Sequence, residues 1–266
     1  MRRLSNPALV TFIVACLPAA ATAQDEAELA AKLANPIAAL ISVPIQANYD
    51  DHIGPADGSA WRTNIQPVVP LSISEDWNLI SRTILPVITQ SDIPAAGAGK
   101  TGLGDVLQSA FFSPKQPTAG GVVWGVGPAL LLNTSTADEL GAEKWAMGPT
   151  AVVLRQRGPW TVGMLGNHLE SFAGNDARAD ISASFMQPFV TYITRTKTSF
   201  SFTSESTYDW ESEQWSVPLN FSVFQMFRVG RQIMQAGGGI RYWADSPTGA
   251  ADEWGARLQL TFLFPR

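Results

Sequence analysis

Residues 198–210 read TSFSFTSESTYDW. The even positions Thr198, Phe200, Phe202, Ser204, Ser206, Tyr208 and Trp210 carry every aromatic of the stretch. The odd positions Ser199, Ser201, Thr203, Glu205, Thr207 and Asp209 are all polar. Side chains alternate between two faces with a period of two only in a strand. A tilted strand of ~9–11 residues crosses a bilayer as part of a closed barrel. Here Tyr208 and Trp210 gather at one end of the apolar face. A strand of a large soluble sandwich shows the same alternation, so the rest of the chain decides between the two.

Composition favours the barrel. Of 266 residues only 15% are charged and 45% are hydrophobic, against about 25% charged in an average soluble domain. Beyond the N-terminus no apolar run reaches the ~18 residues of a membrane helix. Apolar content spread thinly by alternation is the barrel pattern. The formal charge is −5, with no basic cluster and no aromatic–basic interleaving, which argues against nucleic acid as a partner.

Residues 1–23 read as a signal peptide. Arg2 and Arg3 precede an apolar core at 7–17, and Ala21-Thr22-Ala23 is a small-residue cleavage site before Gln24. Ile13-Val14-Ala15-Cys16 also has the form of a lipoprotein box, which would leave Cys16 as a lipidated N-terminus. Ordinary cleavage removes the only cysteine, and a cysteine-free chain fits passage through an oxidising periplasm. Residues 24–36 (QDEAELAAKLANP) form a short helical, polar N-terminal segment or plug that Pro36 ends. The barrel domain then occupies residues 37–266.

Twelve strand candidates follow, at 37–49, 63–74, 77–89, 104–113, 121–133, 145–155, 160–172, 181–195, 198–210, 215–228, 234–243 and 254–264. The last sets Trp254, Ala256, Leu258, Leu260, Phe262 and Phe264 against Arg257, Gln259 and Thr261. Connections alternate in length. Residues 75–76, 156–159, 196–197 and 229–233 are short, and 114–120 is somewhat longer. Residues 50–62, 90–103, 134–144 and 244–253 are long, while the connections after the seventh and ninth strands are short for that side and blur the pattern without reversing it. Long loops on one side and short turns on the other mark an outer-membrane barrel, and an even strand number puts both termini on the short-turn side. The expected fold is therefore all-β: one antiparallel up-and-down transmembrane β-barrel of about 12 strands behind a short helical segment. Pro44, Pro67, Pro70, Pro86, Pro128, Pro149, Pro188 and Pro218 fall inside predicted strands, where each removes a ladder donor. They are read as bulges or as sites near strand ends.

Several short motifs recur together: Thr101-Gly102-Leu103-Gly104-Asp105, Gly125-Val126-Gly127-Pro128, Leu140-Gly141 with Lys144-Trp145, and Gly148-Pro149-Thr150-Ala151. Gly158-Pro159-Trp160, Asn167-His168, Gln187-Pro188-Phe189, Glu205-Ser206 with Tyr208-Asp209-Trp210, and the terminal LTFLFPR at 260–266 complete the set. Across nearly the whole mature chain this set resembles the Gram-negative outer-membrane family labelled MetA-pathway of phenol degradation. The resemblance implies a barrel in the cell outer membrane with a transport role, and the label suggests a hydrophobic or aromatic solute. The chain ends Phe264-Pro265-Arg266, which shifts the usual terminal aromatic of outer-membrane barrels inward by two.

If the apolar faces meet lipid, the polar faces line a lumen. Arg82, Glu205, Asp209, Asn220, Arg228, Gln235, Arg241, Arg257 and Gln259 then point inward. Glu205 and Asp209 face Arg241 and Arg257 two and three strands away, and opposed charges tune a pore; alternatively they pair and brace a closed interior. Trp77, Trp145, Trp160, Trp210, Trp215 and Trp254 fall near strand ends, where tryptophan favours a membrane interface. His168 and Glu170 share a face, but Ser171 points the other way, so a serine–histidine–carboxylate site is not expected. His52 stands apart, so neither is a metal site. Ala95–Thr101 (AAGAGKT) lacks the first glycine of a phosphate loop and reads as a flexible outer loop. The expected function is a channel or transporter passing small solutes by diffusion, with no cofactor and no enzymatic role. Its partners are outer-membrane lipid and the barrel-assembly machinery. The alternatives are a barrel enzyme acting on lipids and a plugged structural or surface-binding barrel.

Overall fold

The computed structural model describes residues 27–265; the predicted signal peptide and Cys16 lie outside them. The strands are β1 (Ile41–Ile53), β2 (Gly58–Ile65), β3 (Val68–Ser72), β4 (Trp77–Ser91), β5 (Gly99–Leu103), β6 (Val106–Pro114), β7 (Val122–Leu132) and β8 (Lys144–Arg157). They continue with β9 (Trp160–Gly174), β10 (Ser182–Ile193), β11 (Thr198–Ser204), β12 (Ser206–Asp209), β13 (Gln214–Val229), β14 (Gln232–Asp245) and β15 (Glu253–Phe264). Because β2/β3, β5/β6 and β11/β12 are each one strand interrupted partway, the sheet is a closed antiparallel barrel of twelve. Neighbours in sequence are neighbours in the sheet, and β1 pairs with β15 to close it.

Proline causes two of the interruptions. Glu205, between β11 and β12, donates its N–H to the Pro218 carbonyl at 3.1 Å, and Pro218 has no N–H to return. Gln66 donates to Pro44 and Thr83 to Pro67 in the same one-way fashion around the β2/β3 gap. Register is unchanged across both gaps. The ladder between β6 and β7 likewise skips from Ser109↔Ala129 to Phe112↔Val126 beside Pro128. The expected bulges are thus mostly half-made rungs; Pro218 stands at a register shift between β13 and β14, and Pro86 stands opposite the shift between β5 and β6. The third interruption, Gly104-Asp105, carries one extra residue against β4 and is a bulge rather than a turn.

The turns at one end are residues 73–76, 115–121, 158–159, 194–197 and 230–231. The two-residue turns are opened by Gly158 and Gly230 at positive φ, as tight hairpins require. The opposite end carries 54–57, 92–98, 133–143, 175–181, 210–213 and 246–252. The sorting of loop lengths persists, but the long loops are shorter than expected because strands run on into them. Gly99, Lys100 and Thr101 belong to β5, not to a flexible loop.

The distribution of side chains is inverted relative to a soluble protein. Val153, Val162, Phe202, Phe221, Ile240 and Leu258 are 45–57% exposed on the outer wall, while Asn48, Asn220, Gln235, Arg241, Arg257 and Thr261 are buried inside. Such an inversion suits a wall that faces apolar surroundings.

Residues 27–33 are helical, and the chain from there to Leu40 runs inside the barrel at the short-turn end. The first strand therefore starts at Ile41, not at residue 37. Leu29, Ala30, Ala38 and Leu40 pack on Met226, Ile233 and Leu263; Ile37 packs on Ile80, Phe111, Val152, Leu154 and Leu165. Gln156 Nε2 donates to the Ala31 carbonyl at 2.8 Å. Gly125 makes room for the segment, since a Cβ there would lie 3.2 Å from Ile37 Cδ1. Burying Leu29, Ile37 and Leu40 contributes about 1.5–3 kcal/mol each before entropy is counted.

Candidate functional site

The lumen has two unlike walls. Between β4 and β10 it is apolar, with Ile80, Phe111, Val152, Leu154 and Leu165 buried around Ile37 and with Phe185 and Phe189 against them. This corrects the expectation that only polar faces line the interior. From β11 round to β3 it is polar and charged.

The charged side is built on strand alternation. Ser42, Pro44 and Gln46 line the interior cavity, and Asn48 and Asp50 follow on the same face of β1. Arg257 on β15 donates Nε to Asn48 Oδ1 at 2.7 Å and clamps Glu205 with two parallel bonds of 2.9 and 2.7 Å. Glu205 reaches into the lumen from the proline-flanked gap between β11 and β12. Arg241 on β14 lies 3.2 Å from Asp50 Oδ1 and 4.5 Å over the Trp243 ring, and Trp243 Nε1 donates to the same carboxylate at 2.9 Å. Arg82 on β4 donates to Gln66 Oε1 at 3.0 Å. Arg62 is opposite Asn48 in register and so shares this face.

Of the predicted lumen residues, the structure brings Glu205, Arg241, Arg257, Asn220 and Arg82 into this region. Asn220 is opposite Arg241 and 1% exposed; its Oδ1 has no hydrogen-bond partner among the described residues. Gln235 reaches Ser199 Oγ at 3.4 Å, and Gln259 donates to Thr261 Oγ1 at 3.1 Å, both nearer the short-turn end. Arg228 is lower still, opposite Ile233 beside the turn at 230–231. Asp209 does not face the arginines: it accepts the N–H groups of Glu211 and Ser212 and shapes the 210–213 turn. Asp50 takes the place expected of it. Sequence reasoning assigned Asp50 to a loop, although the alternation 42, 44, 46, 48 continues through it.

A cavity of about 220 Å³ opens between the N-terminal segment and the Glu205–Arg257 clamp. Leu33, Asn35 and Ala38 bound it on one side and Arg82, Phe189, Gln235 and Arg257 on the others. On the glycine-rich inner face of β7, Gly125 lets the N-terminal segment pack close.

At the long-loop mouth, Asp105 in the β5/β6 bulge accepts N–H groups from Thr134, Ser135 and Ala142, which folds the 133–143 loop onto the barrel rim. Lys144, 5% exposed, reaches Asp180 Oδ1 at 2.8 Å, and Ser171 Oγ donates to that oxygen at 3.1 Å. These bonds hold the Asp180 carboxyl below its ordinary pKa. His52 bonds Asp51 at 2.9 Å.

The six predicted tryptophans all project from the outer wall, between 37% and 56% exposed. Trp77 and Trp160 stand at the short-turn end and Trp145, Trp210, Trp215 and Trp254 at the other. Tyrosines on the wall accompany several of them: Trp160 lies 4.8 Å from Tyr192, Trp254 4.8 Å from Tyr242, and Trp210 4.8 Å from Tyr208.

No family model and no curated protein sequence matches the chain. Among solved structures it is similar to the COG4313 outer membrane channel from Pseudomonas putida F1. The TM-score is 0.65 at 13% identity, over 85% of this chain and 96% of that one. The likeness at this identity is one of fold. The β domain of the Bordetella autotransporter BrkA (11% identity, 84% and 97% covered) and Pseudomonas putida OprB at low pH (8%, 85% and 92% covered) superpose less well, with TM-scores of 0.40 and 0.35.

Proposed function

We propose that the protein is an outer-membrane channel that passes small solutes carrying an apolar body and an anionic end. The observation that carries this is the two-walled lumen, whose cavity is lined by Phe189 from the apolar side and by Arg82, Glu205 and Arg257 from the charged one. Four guanidinium groups (Arg62, Arg82, Arg241, Arg257) face two carboxylates (Asp50, Glu205) at this level of the lumen. The excess of fixed positive charge in a narrow, poorly screened space favours anions. Phe189 offers the opposite wall to an apolar moiety, and Ile80 and Phe111 extend that wall once Ile37 moves off them.

In this reading residues 1–23 export the chain, and the outer wall meets lipid with the tryptophans at its two interfaces. The short turns face the periplasm, where the barrel-assembly machinery receives the chain. The family resemblance drawn from the sequence motifs belongs to the same proposal. The segment at residues 27–40 is the gate: it fills the short-turn end and must shift for conduction. The test is single-channel recording of the purified mature chain in a planar bilayer under a salt gradient. Discrete steps with an anion-selective reversal potential are expected. Cation selectivity, or a lumen silent even after removal of residues 27–38, would overturn the reading.

A further inference from the structure

A second polar assembly lies on the outer wall, independent of the channel. His168 on β9 is directly opposite Ser184 on β10, and Glu170 is opposite Ser182. His168 Nδ1 is 2.9 Å from Ser184 Oγ, and His168 Nε2 is 2.8 Å from Glu170 Oε1. Ser182 Oγ donates to that carboxylate oxygen at 2.8 Å, and Trp210 Nε1 donates to Ser184 Oγ at 3.0 Å. The serine is not the Ser171 weighed from sequence; it comes from the neighbouring strand.

An ionised carboxylate only accepts, so in the neutral imidazole the hydrogen belongs on Nε2 beside Glu170 and the Nδ1 lone pair is left facing the Ser184 hydroxyl. A hydroxyl donating to a neutral imidazole whose far nitrogen is held by a carboxylate is the arrangement of an activated serine nucleophile. Its position on the wall selects the substrate. Trp160, Val162 and Met164 lead up the same face of β9 to His168 and are 41–54% exposed. From Trp160 to His168 a tilted strand climbs ~20 Å. That places Ser184 at the far edge of the apolar band, level with Trp210, where the ester groups of lipids lie between acyl chain and headgroup.

We propose that Ser184, His168 and Glu170 form an acyl-ester hydrolase site that cleaves ester-linked acyl chains from lipids of the outer leaflet. Ser184 Oγ attacks the ester carbonyl carbon while its proton passes to His168 Nδ1. The carbonyl oxygen becomes an oxyanion within reach of the Trp210 indole N–H. The intermediate collapses with cleavage of the carbonyl C–O bond, and the departing alkoxide takes the proton from His168. Water then attacks the acyl-serine, His168 takes and returns a proton, and a fatty acid and free Ser184 result. Glu170 stabilises the imidazolium, and Ser182 positions Glu170.

The test uses the full mature chain, folded in detergent micelles doped with a phospholipid bearing a fluorogenic acyl ester. A fluorophosphonate probe and single-channel recording are run on the same sample. The expected results are ester hydrolysis, fluorophosphonate attachment at Ser184, and loss of hydrolysis by at least about 100-fold in Ser184→Ala and His168→Asn. Glu170→Gln is expected to slow hydrolysis and shift its pH profile while Ser184 still takes the probe. Conductance stays unchanged in Ser184→Ala, since the site is outside the lumen; this also shows that the variant is folded. Hydrolysis equal in wild type and Ser184→Ala, or no probe on Ser184 in a sample that conducts, would overturn the proposal without touching the channel reading.

Discussion

Arg257 and Glu205 meet in parallel, fork to fork, at 2.9 and 2.7 Å across three strands of the barrel. Their side chains are 5% and 20% exposed. A pair so little hydrated gains from its geometry but loses most of the solvation of both ions. The two residues therefore contribute little net stability together and a large penalty when separated.

Glu205→Ala leaves the Arg257 guanidinium with Asn48 as its one remaining hydrogen-bond partner among the described residues, and the expected cost is about 3–5 kcal/mol. Replacing both, as Glu205→Leu with Arg257→Met, is expected to restore most of that loss. Denaturant unfolding, followed by the shift of the folded band on unheated gels, measures it. A single variant as stable as wild type would show that water reaches the pair freely.

Charge in the lumen sets the second expectation. Arg82 has Gln66 as its hydrogen-bond partner and lines the cavity directly. Arg82→Gln removes one fixed positive charge without removing a salt bridge. The reversal potential under a salt gradient is expected to move toward cations, while Glu205→Gln moves it toward anions. Identical selectivity in both variants would show that ions pass elsewhere.

The internal segment gives the third. Gly125 sits beneath Ile37, and any Cβ there crowds Ile37 Cδ1 and Phe111 Cβ at 3.2 and 3.3 Å. Valine adds two methyl groups in that direction. Gly125→Val is expected to lift residues 35–40 from the apolar wall and raise the open probability several-fold, and Leu40→Asn is expected to act similarly by weakening the other anchor. The check is open probability in single-channel records, with the unit conductance as control. Unchanged gating in both would mean that the segment stays seated during conduction.

The fold was legible because a barrel writes its architecture as strand alternation and loop length, and both are local. Residues 198–210 show this best: the aromatic face points out and Ser199, Ser201, Thr203 and Glu205 line the interior cavity. The candidate site was legible only in part. Which charges meet depends on curvature and on where strands end, so Asp50 was lost to a predicted loop and Asp209 was credited with a contact it does not make. The apolar wall was hidden for a different reason. Ile80 follows the outward Leu79 and Leu165 follows the outward Met164, and a strand with apolar residues on both faces has no clear period. His168 and Glu170 were visible as a pair, but Ser184 depends on the register of β9 against β10, and register is a long-range property.

The contact at the long-loop mouth has a definite pH dependence. Lys144 Nζ and Ser171 Oγ both bond Asp180 Oδ1, and they lower the carboxyl's pKa relative to an unfolded value of about 3.9. A carboxylate with a depressed folded pKa contributes stability that is complete above the unfolded value and is lost as pH falls through the folded one. The 175–181 loop is therefore expected to stay docked from pH 8 to pH 5 and to loosen only below about pH 4. A spin label on Ala177→Cys reads this directly, because the only native cysteine, Cys16, lies in the predicted signal peptide. Label mobility should be flat down to about pH 4 and rise below it, and Asp180→Asn should show the mobile spectrum at every pH. Loosening between pH 7 and 5 with Asp180 intact would assign the loop to a different titrating group.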